Sequence, residues 1–347
     1  VSEVLVRVED GVGRITLNRP RAINALNLAM VRVIDAALAG WADDSTVRLV
    51  LLDGAGERGL CAGGDIRGLY DAACVGDMQL AQDFFRAEYR LNARIAGYPK
   101  PYVALMDGIT MGGGIGLSAH GSHRVVTERS RLAMPEVGIG FVPDVGGTWL
   151  LGRVPGHMGV HAALTGGQLG AADAIECGLA DVCVGSETLP ALAGALAGCV
   201  TGAEVSACLA GFAIVPPPGK SAENVGWIAA CYAAERVEDI LSALAACPAA
   251  GARQAAADIA GKCPFSLKMT LRALRAARGF GRLEPCLELE YRLALACLAR
   301  PDFREGVRAA VVDKDRHPRW SPDSLAGVTA DMVDDAFAAT DFGGLGL

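Results

Sequence analysis

Two carboxylates, Glu136 and Asp144, each stand directly after a proline in the apolar run RLAMPEVGIGFVPDVGGTWLL, Arg131 to Leu151. Proline restricts the local backbone, so the side chain that follows is held in a defined direction. A carboxylate among apolar neighbours is costly unless it is hydrogen-bonded, protonated or paired, and carboxyls that work as acids or bases have shifted pKa values. The pair suits proton transfer or attack on an electrophilic carbon. A helix N-terminal cap is the alternative for each, and it fits Asp144 better than Glu136.

The second chemical feature is backbone. In DGITMGGGIGLSAHG, Asp107 to Gly121, three adjacent glycines, Gly112, Gly113 and Gly114, leave the amides unshielded. If a helix begins there, its first N–H groups lack intrahelical partners and favour negative charge. GAGERGLCAGGD, Gly54 to Asp65, again exposes backbone before a possible helix. A tight turn and a surface connection are the plain alternatives.

The elements that must position these groups follow from periodicity. Val4 to Val8 and Val12 to Leu17 read as strands around a turn at Asp10 and Gly11. Asn27 is placed to cap a helix running to Trp41, because Met30, Val31, Ile34 and Leu38 recur with helical period. Val47 to Leu52 has the form of a strand buried on both faces. Met78 to Ala96 reads as a helix with Phe84, Phe85, Tyr89 and Leu91 on its apolar side and Glu88 among them. Pro99 and Pro101 end it, and the strand Tyr102 to Met106 delivers the glycine triplet. A strand at Arg124 to Val126 and a short one ending at Val184 complete a βαβ pattern, which implies an α/β fold with largely parallel strands. Beyond about Glu187 the chain reads as helical, interrupted by VPPPGK, Val215 to Lys220, a stiff linker.

The length of 347 residues suggests about two domains, and 52% hydrophobic with 20% charged residues is a globular composition. A net charge of -7 argues against a general nucleic-acid binder while leaving room for a local basic pocket. No apolar run is long enough to span a bilayer, and VSEVLVRVEDG at the start is charged from Glu3 onward and resembles no signal or transit peptide, so a cytoplasmic location is expected. Eleven cysteines without a CxxC pair read as reduced, mostly buried small residues. His120 and His123 could share a helix face, but no acid or thiol stands beside them, and no metal site is expected.

CAGGDI with MGGGIGLSAHG, AMPEVGIGFVPDVGGTWLL and LTGGQLGAADAIECGLAD resembles the crotonase (enoyl-CoA hydratase/isomerase) superfamily. FFRAEYRLN at Phe84 to Asn92, FVPDVGG, PFSLKMTLRAL at Pro264 to Leu274, LELEYRLALACLARPDFREGVRAAVVDKD and the W-S-P ending at Trp320 are similar to its branch that cleaves 3-hydroxyacyl-CoA thioesters. The resemblance covers essentially the whole chain. It implies a spiral of ββα repeats forming an acyl-CoA-binding catalytic core over residues 1–200, with a helical C-terminal region, 201–347, that covers the site or makes subunit contacts. It also implies an oxyanion hole from the backbone N–H groups of Gly64 and Gly113, with Glu88, Gly113 and Ala62 contacting substrate. Glu88, in the EY motif, would meet the 3-hydroxyl. Two preorganised amides aimed at a developing oxyanion stabilise charge where it appears.

Family members that hydrate a double bond hold water between two glutamates, one two residues after the glycine triplet and one after the later proline. The second is kept as Glu136, but the first position is Gly116, which has no side chain to exchange a proton. Asp144 stands where typical hydratases have a small residue. The resemblance therefore implies hydrolysis of the 3-hydroxyisobutyryl-CoA thioester, as in valine catabolism, with 3-hydroxypropionyl-CoA as a further substrate. Glu136 would be nucleophile or general base, and Asp144 would hold substrate or water and handle the leaving-group proton. Two alternatives stand beside it: an enoyl-CoA hydratase or isomerase, against which Gly116 speaks, and a non-catalytic acyl-CoA-binding protein, against which Glu88, Glu136 and Asp144 speak. No cofactor is implied, since CoA arrives as part of the substrate. Arg67 and Lys314 are candidates for its phosphates or adenine, and a homo-oligomer is expected, with neither nucleic acid nor membrane as partner.

Overall fold

The computed structural model describes residues 2–339 and 343–347. Val1 of the N-terminal stretch and residues 340–342 of the expected C-terminal region lie outside the described residues. The chain groups into two compact units, each built from separated segments. One takes the chain up to Gly64, Arg90–Leu132 and Leu169–Gly219; the other takes Asp65–Tyr89, Ala133–Gln168 and Lys220 onward.

The first unit holds the strands. β1 (Val4–Glu9) and β2 (Val12–Leu17) form an antiparallel hairpin whose turn residues Asp10 and Gly11 both have positive φ, the conformation that matches the twist of the paired strands. A helix, Leu28–Ala42, then crosses over to β3 (Leu49–Gly54), which runs parallel to β2. The Asn27 side chain accepts from the Met30 amide at 2.9 Å and caps this helix. Met30, Val31, Ile34, Leu38 and Trp41 form its buried face. β4 (Tyr102–Met106), β6 (His123–Thr127) and β8 (Val182–Val184) extend the parallel sheet in the order β1-β2-β3-β4-β6-β8. β5 (Ile109–Met111) and β7 (Arg131–Ala133) pair separately. Leu51, Val103, Leu105 and Val125 pack against Leu192, Leu196, Val205 and Leu209 of the helices Leu189–Leu196 and Gly202–Gly211. Both glycine-rich stretches leave the carboxyl ends of parallel strands, where open α/β sheets place their ligands.

The second unit is helical. Its C-terminal part runs through the helices Ser221–Cys231, Val237–Ala246, Ala250–Ala260, Pro264–Ala277, Glu284–Leu298, Pro301–Val307 and Ala330–Ala338. Phe265, Met269, Leu274, Leu287, Tyr291, Leu295 and Phe303 are buried in it. The expected α/β architecture with a helical C-terminal region is therefore present. The third strand begins two residues later than periodicity suggested, because the Val47 amide closes a turn onto Asp44 O instead of joining the sheet. Among the described residues no disulfide joins any of the eleven cysteines, and most of them are buried. Among the described residues, no helix is long and apolar enough to cross a membrane.

Candidate active site

Glu136 opens a short turn of tight helix, Glu136–Ile139, and Asp144 precedes a left-handed pair, Val145 and Gly146, that leads into the helix Gly147–Gly152. The N-cap positions fall to Pro135 and Gly146, and neither acid caps a helix with its side chain. Five carboxyls are buried among the described residues of the second unit: Glu88, Glu136, Asp144 and Glu290 form one electrostatically linked group, and Asp302 pairs with Arg300. Phe85 stacks on Phe141, and Phe303 meets Phe141 at a tilt, in the same unit, adding to its low-dielectric interior.

Each acid has a different local environment. Asp144 accepts a hydrogen bond from the Tyr89 hydroxyl at 2.6 Å. Burial pushes it up to about 7, and the Tyr89 bond pulls the other way. Burial, then the neighbouring Asp144, holds Glu136 well above the usual carboxylate range, with Glu290 and Glu88 adding repulsion. Glu88 is raised by the same two causes. Among the described residues, Oε1 of Glu88 and Oε2 of Glu136 have no hydrogen-bond partner. Glu290 differs, accepting from the Gly146 amide at 2.6 Å, the Thr148 amide at 2.9 Å and the Thr148 hydroxyl. Burial raises each of the four, and the repulsion of Asp144 on Glu136 and Glu88 works against all of them ionising together.

Asp144, pushed up to about 7, titrates in the neutral range. Because Tyr89 stabilises its charged form, Tyr89→Phe raises its pKa and shifts the ascending limb of kcat/KM against pH to higher pH. A pH–rate profile measured on both proteins checks this, and an unmoved midpoint would count against Asp144 as the titrating group.

The first unit holds the glycine backbone. Gly113 is the first residue of the helix Gly113–Ser118, so its N–H has no intrahelical acceptor. Gly63 has φ +107, and a Cβ there would stand 3.3 Å from Met111 O and 3.7 Å from the Gly113 nitrogen. The two glycine loops are tied by Cys61 N donating to Ile109 O at 3.1 Å and Met111 N donating to Cys61 O at 2.9 Å. Among the described residues, neither the Gly64 nor the Gly113 N–H donates to a backbone carbonyl. Ala62 is exposed, and its N–H donates to Ile23 O at 2.8 Å. Gly116 is buried inside the same short helix.

Of the residues singled out from sequence, Glu88, Glu136 and Asp144 lie together in the second unit, while Gly64, Gly113 and Ala62 belong to the first. Arg67 pairs with Asp71 at 3.1 Å, and its helix, Ile66–Val75, packs against the segment Arg308–Val312 that precedes the exposed Lys314. His123 is engaged by Ser122, Gly202 O and Ser206, a structural role. Among the described residues, no group of three or more His, Cys, Asp or Glu is placed to hold a metal ion. Tyr89 as partner of Asp144, and Glu290, escaped the reading of sequence. The signal for Glu290 was an acid on the apolar face of LELEYRLALACL, beside Cys286, Leu287, Leu289 and Leu293.

The family described as enoyl-CoA hydratase/isomerase matches residues 12–337, and the chain belongs to that family. A relative from Xenopus tropicalis named 3-hydroxyisobutyryl-CoA hydrolase, mitochondrial, is 43% identical over 344 residues, 97% of this chain and 89% of its own. A solved structure of a carnitinyl-CoA dehydratase from Mycobacterium thermoresistibile is 49% identical with a TM-score of 0.94, covering 98% of both chains. One of an enoyl-CoA hydratase from Rhodobacter sphaeroides 2.4.1 is 42% identical with a TM-score of 0.93, covering 100% of both. The crotonase resemblance is thus correct. The expectation of a cytoplasmic location is corrected: the Xenopus tropicalis relative is named as mitochondrial, and the start of a sequence that does not open with Met was no guide to a leader.

Proposed function

We propose that this chain hydrolyses the thioester of 3-hydroxyisobutyryl-CoA to the free 3-hydroxy acid and CoA, a step of valine catabolism, with 3-hydroxypropionyl-CoA as a further substrate. The observation that carries this reading is the buried pair Glu136 and Asp144 in a chain whose position 116 is glycine. Relatives over nearly the full length bear the hydrolase name. Glu136 delivers the attacking oxygen, either its own, giving a mixed anhydride that water then hydrolyses to the free acid, or that of a water it deprotonates. Asp144 takes and returns the proton needed by the departing thiol. The Gly64 and Gly113 amides stabilise the thioester oxyanion, and Gly113 and Ala62 contact the acyl-CoA. Glu88 accepts from the 3-hydroxyl; a buried acceptor built for a hydroxyl rejects acyl groups lacking one, because it would be left unpaired.

On this reading no metal or redox cofactor takes part, because the thioester is itself activated and CoA enters with the substrate. Arg67 and Lys314 take its phosphates or adenine. Residues 1–200 carry the acyl-CoA chemistry, and 201–347 cover the site or make the contacts of a homo-oligomer.

The competing reading is hydration of a short-chain enoyl-CoA, favoured by the names of the two solved structures. Gly116 opposes it. A paired assay separates them: thiol release from 3-hydroxyisobutyryl-CoA, and loss of enoyl absorbance from crotonyl-CoA. Thiol release without enoyl loss is expected. Rapid enoyl loss with no thiol release would overturn the hydrolase reading.

A further inference from the structure

The stretch after Asp144 is held in a conformation that its own sequence does not favour. Val145 has φ +52, in the left-handed region that a β-branched side chain rarely occupies, and Gly146 follows at φ +81. The Asp144 carbonyl accepts from Gly147 N at 2.6 Å and closes the turn. Strain of this kind persists only where surrounding structure over-determines it.

The structure shows what holds it. Glu290, fully buried in the helix Glu284–Leu298, puts one carboxylate oxygen on the Gly146 amide and the other on the amide and hydroxyl of Thr148. These donors flank the first residue of the helix Gly147–Gly152, whose N-terminus has no side-chain cap of its own. A buried carboxyl is an expensive way to cap a six-residue helix, since an apolar residue in an otherwise apolar helix face would avoid the desolvation. The turn it grips is the one that directs Asp144.

We propose that Glu290 is a positioning residue for the thioester-cleaving pair: its carboxylate clamps the Val145–Gly146 turn and so sets the direction of the Asp144 side chain. This rests on the hydrolase reading above. The Gly146 and Thr148 amides can only donate, one to each oxygen, so the clamp is strongest when both oxygens accept, that is, when Glu290 is ionised. The titratable groups that interact with it are Asp144, Glu136, Tyr89 and Cys286. Among the described residues no salt bridge joins a cation to it: on the helices packed against it, Arg272 engages Asp334, Lys268 engages Glu238, Arg275 engages Glu235 and Arg300 engages Asp302. Burial pushes Glu290 up to about 8, against its three donors.

The test is Glu290→Gln in the full chain, assayed for thiol release from 3-hydroxyisobutyryl-CoA. A glutamine must turn an NH2 toward one of the donors, so the turn loosens. The expected result is kcat lower by about 10- to 100-fold with KM within about twofold, as for a misdirected rather than missing group. The wild-type kcat continues to rise as pH passes about 8, while Glu290→Gln loses that rise. A lowered Tm with kcat and pH profile unchanged would show a purely structural cap and overturn the proposal. Should Glu290→Gln not fold, Thr148→Val removes only the hydroxyl donor and Thr148→Ser retains it: reduced kcat in the first, restored in the second, supports the clamp, and equal activity in both overturns it. Absence of thiol release by the wild-type protein would instead sink the hydrolase reading itself.

Discussion

Glu136→Gln lowers CoA release from 3-hydroxyisobutyryl-CoA by about 10² or more in kcat, the scale of losing a positioned acid–base or nucleophilic group. Glutamine has the same length and shape, and Oε2 of Glu136 makes no hydrogen bond to be lost among the described residues, so the fold has no reason to change. What disappears is the ability to carry a proton or to form an acyl bond. Stability supplies an internal control. The folded-state pKa of Glu136 is raised, so the stability linked to its protonated form is fully present below the ordinary carboxyl range and is lost as pH rises toward the folded value. Glutamine does not titrate, so the variant keeps its Tm at neutral pH or gains. A thiol-reagent assay with thermal melts checks both; activity above about a tenth of wild type would remove Glu136 from the chemistry.

Gly114→Ala has the second-largest expected effect, and it acts on backbone alone. A Cβ at this position would stand 2.7 Å from Cys61 O and 2.9 Å from Cys61 Cβ, distances that real Cβ atoms do not tolerate. The Cys61 carbonyl is engaged by Met111 N, so the start of the Gly113–Ser118 helix has to move instead. That displaces the Gly113 amide. A lost oxyanion-hole donor costs about 2.7 to 4 kcal/mol, or 10²- to 10³-fold in kcat. Steady-state kinetics with a circular dichroism control test it, and wild-type kcat in a folded Gly114→Ala protein would mean that the Gly113 N–H carries no transition-state charge.

Much of this was legible in the residues, for physical reasons that can be named. The Asn27 cap, the Asp10–Gly11 turn and the parallel strands are local or nearest-neighbour features, and each left its mark in residue type and period. Glu136 and Asp144 stood out because a proline before an acid in an apolar run is rare. Glu290 did not, because its partners lie 144 and 142 residues away and only an acid on an apolar helix face announced it. Tyr89 read as an apolar residue of its helix, yet its hydroxyl bonds Asp144 across 55 residues of sequence. The capping alternative for Asp144 had the right element but the wrong residue: the helix begins beyond Gly146, and its cap arrives from Glu290.

The interleaving of the two compact units bears on how the protein is made. The chain passes from one unit to the other at Gly64, Tyr89, Leu132, Gln168 and Gly219, so neither unit corresponds to a continuous stretch. On a ribosome, the first unit lacks its last segment until residue 219 has emerged, and the second stays unfinished until the final helices follow. Contacts between segments this far apart are slow to form, because loop-closure entropy precedes their reward. The half-made acid cluster, with Glu136 and Asp144 already synthesised and Glu290 still to come, is therefore an obligatory stage of every synthesis, and a chain terminated early releases it without its clamp.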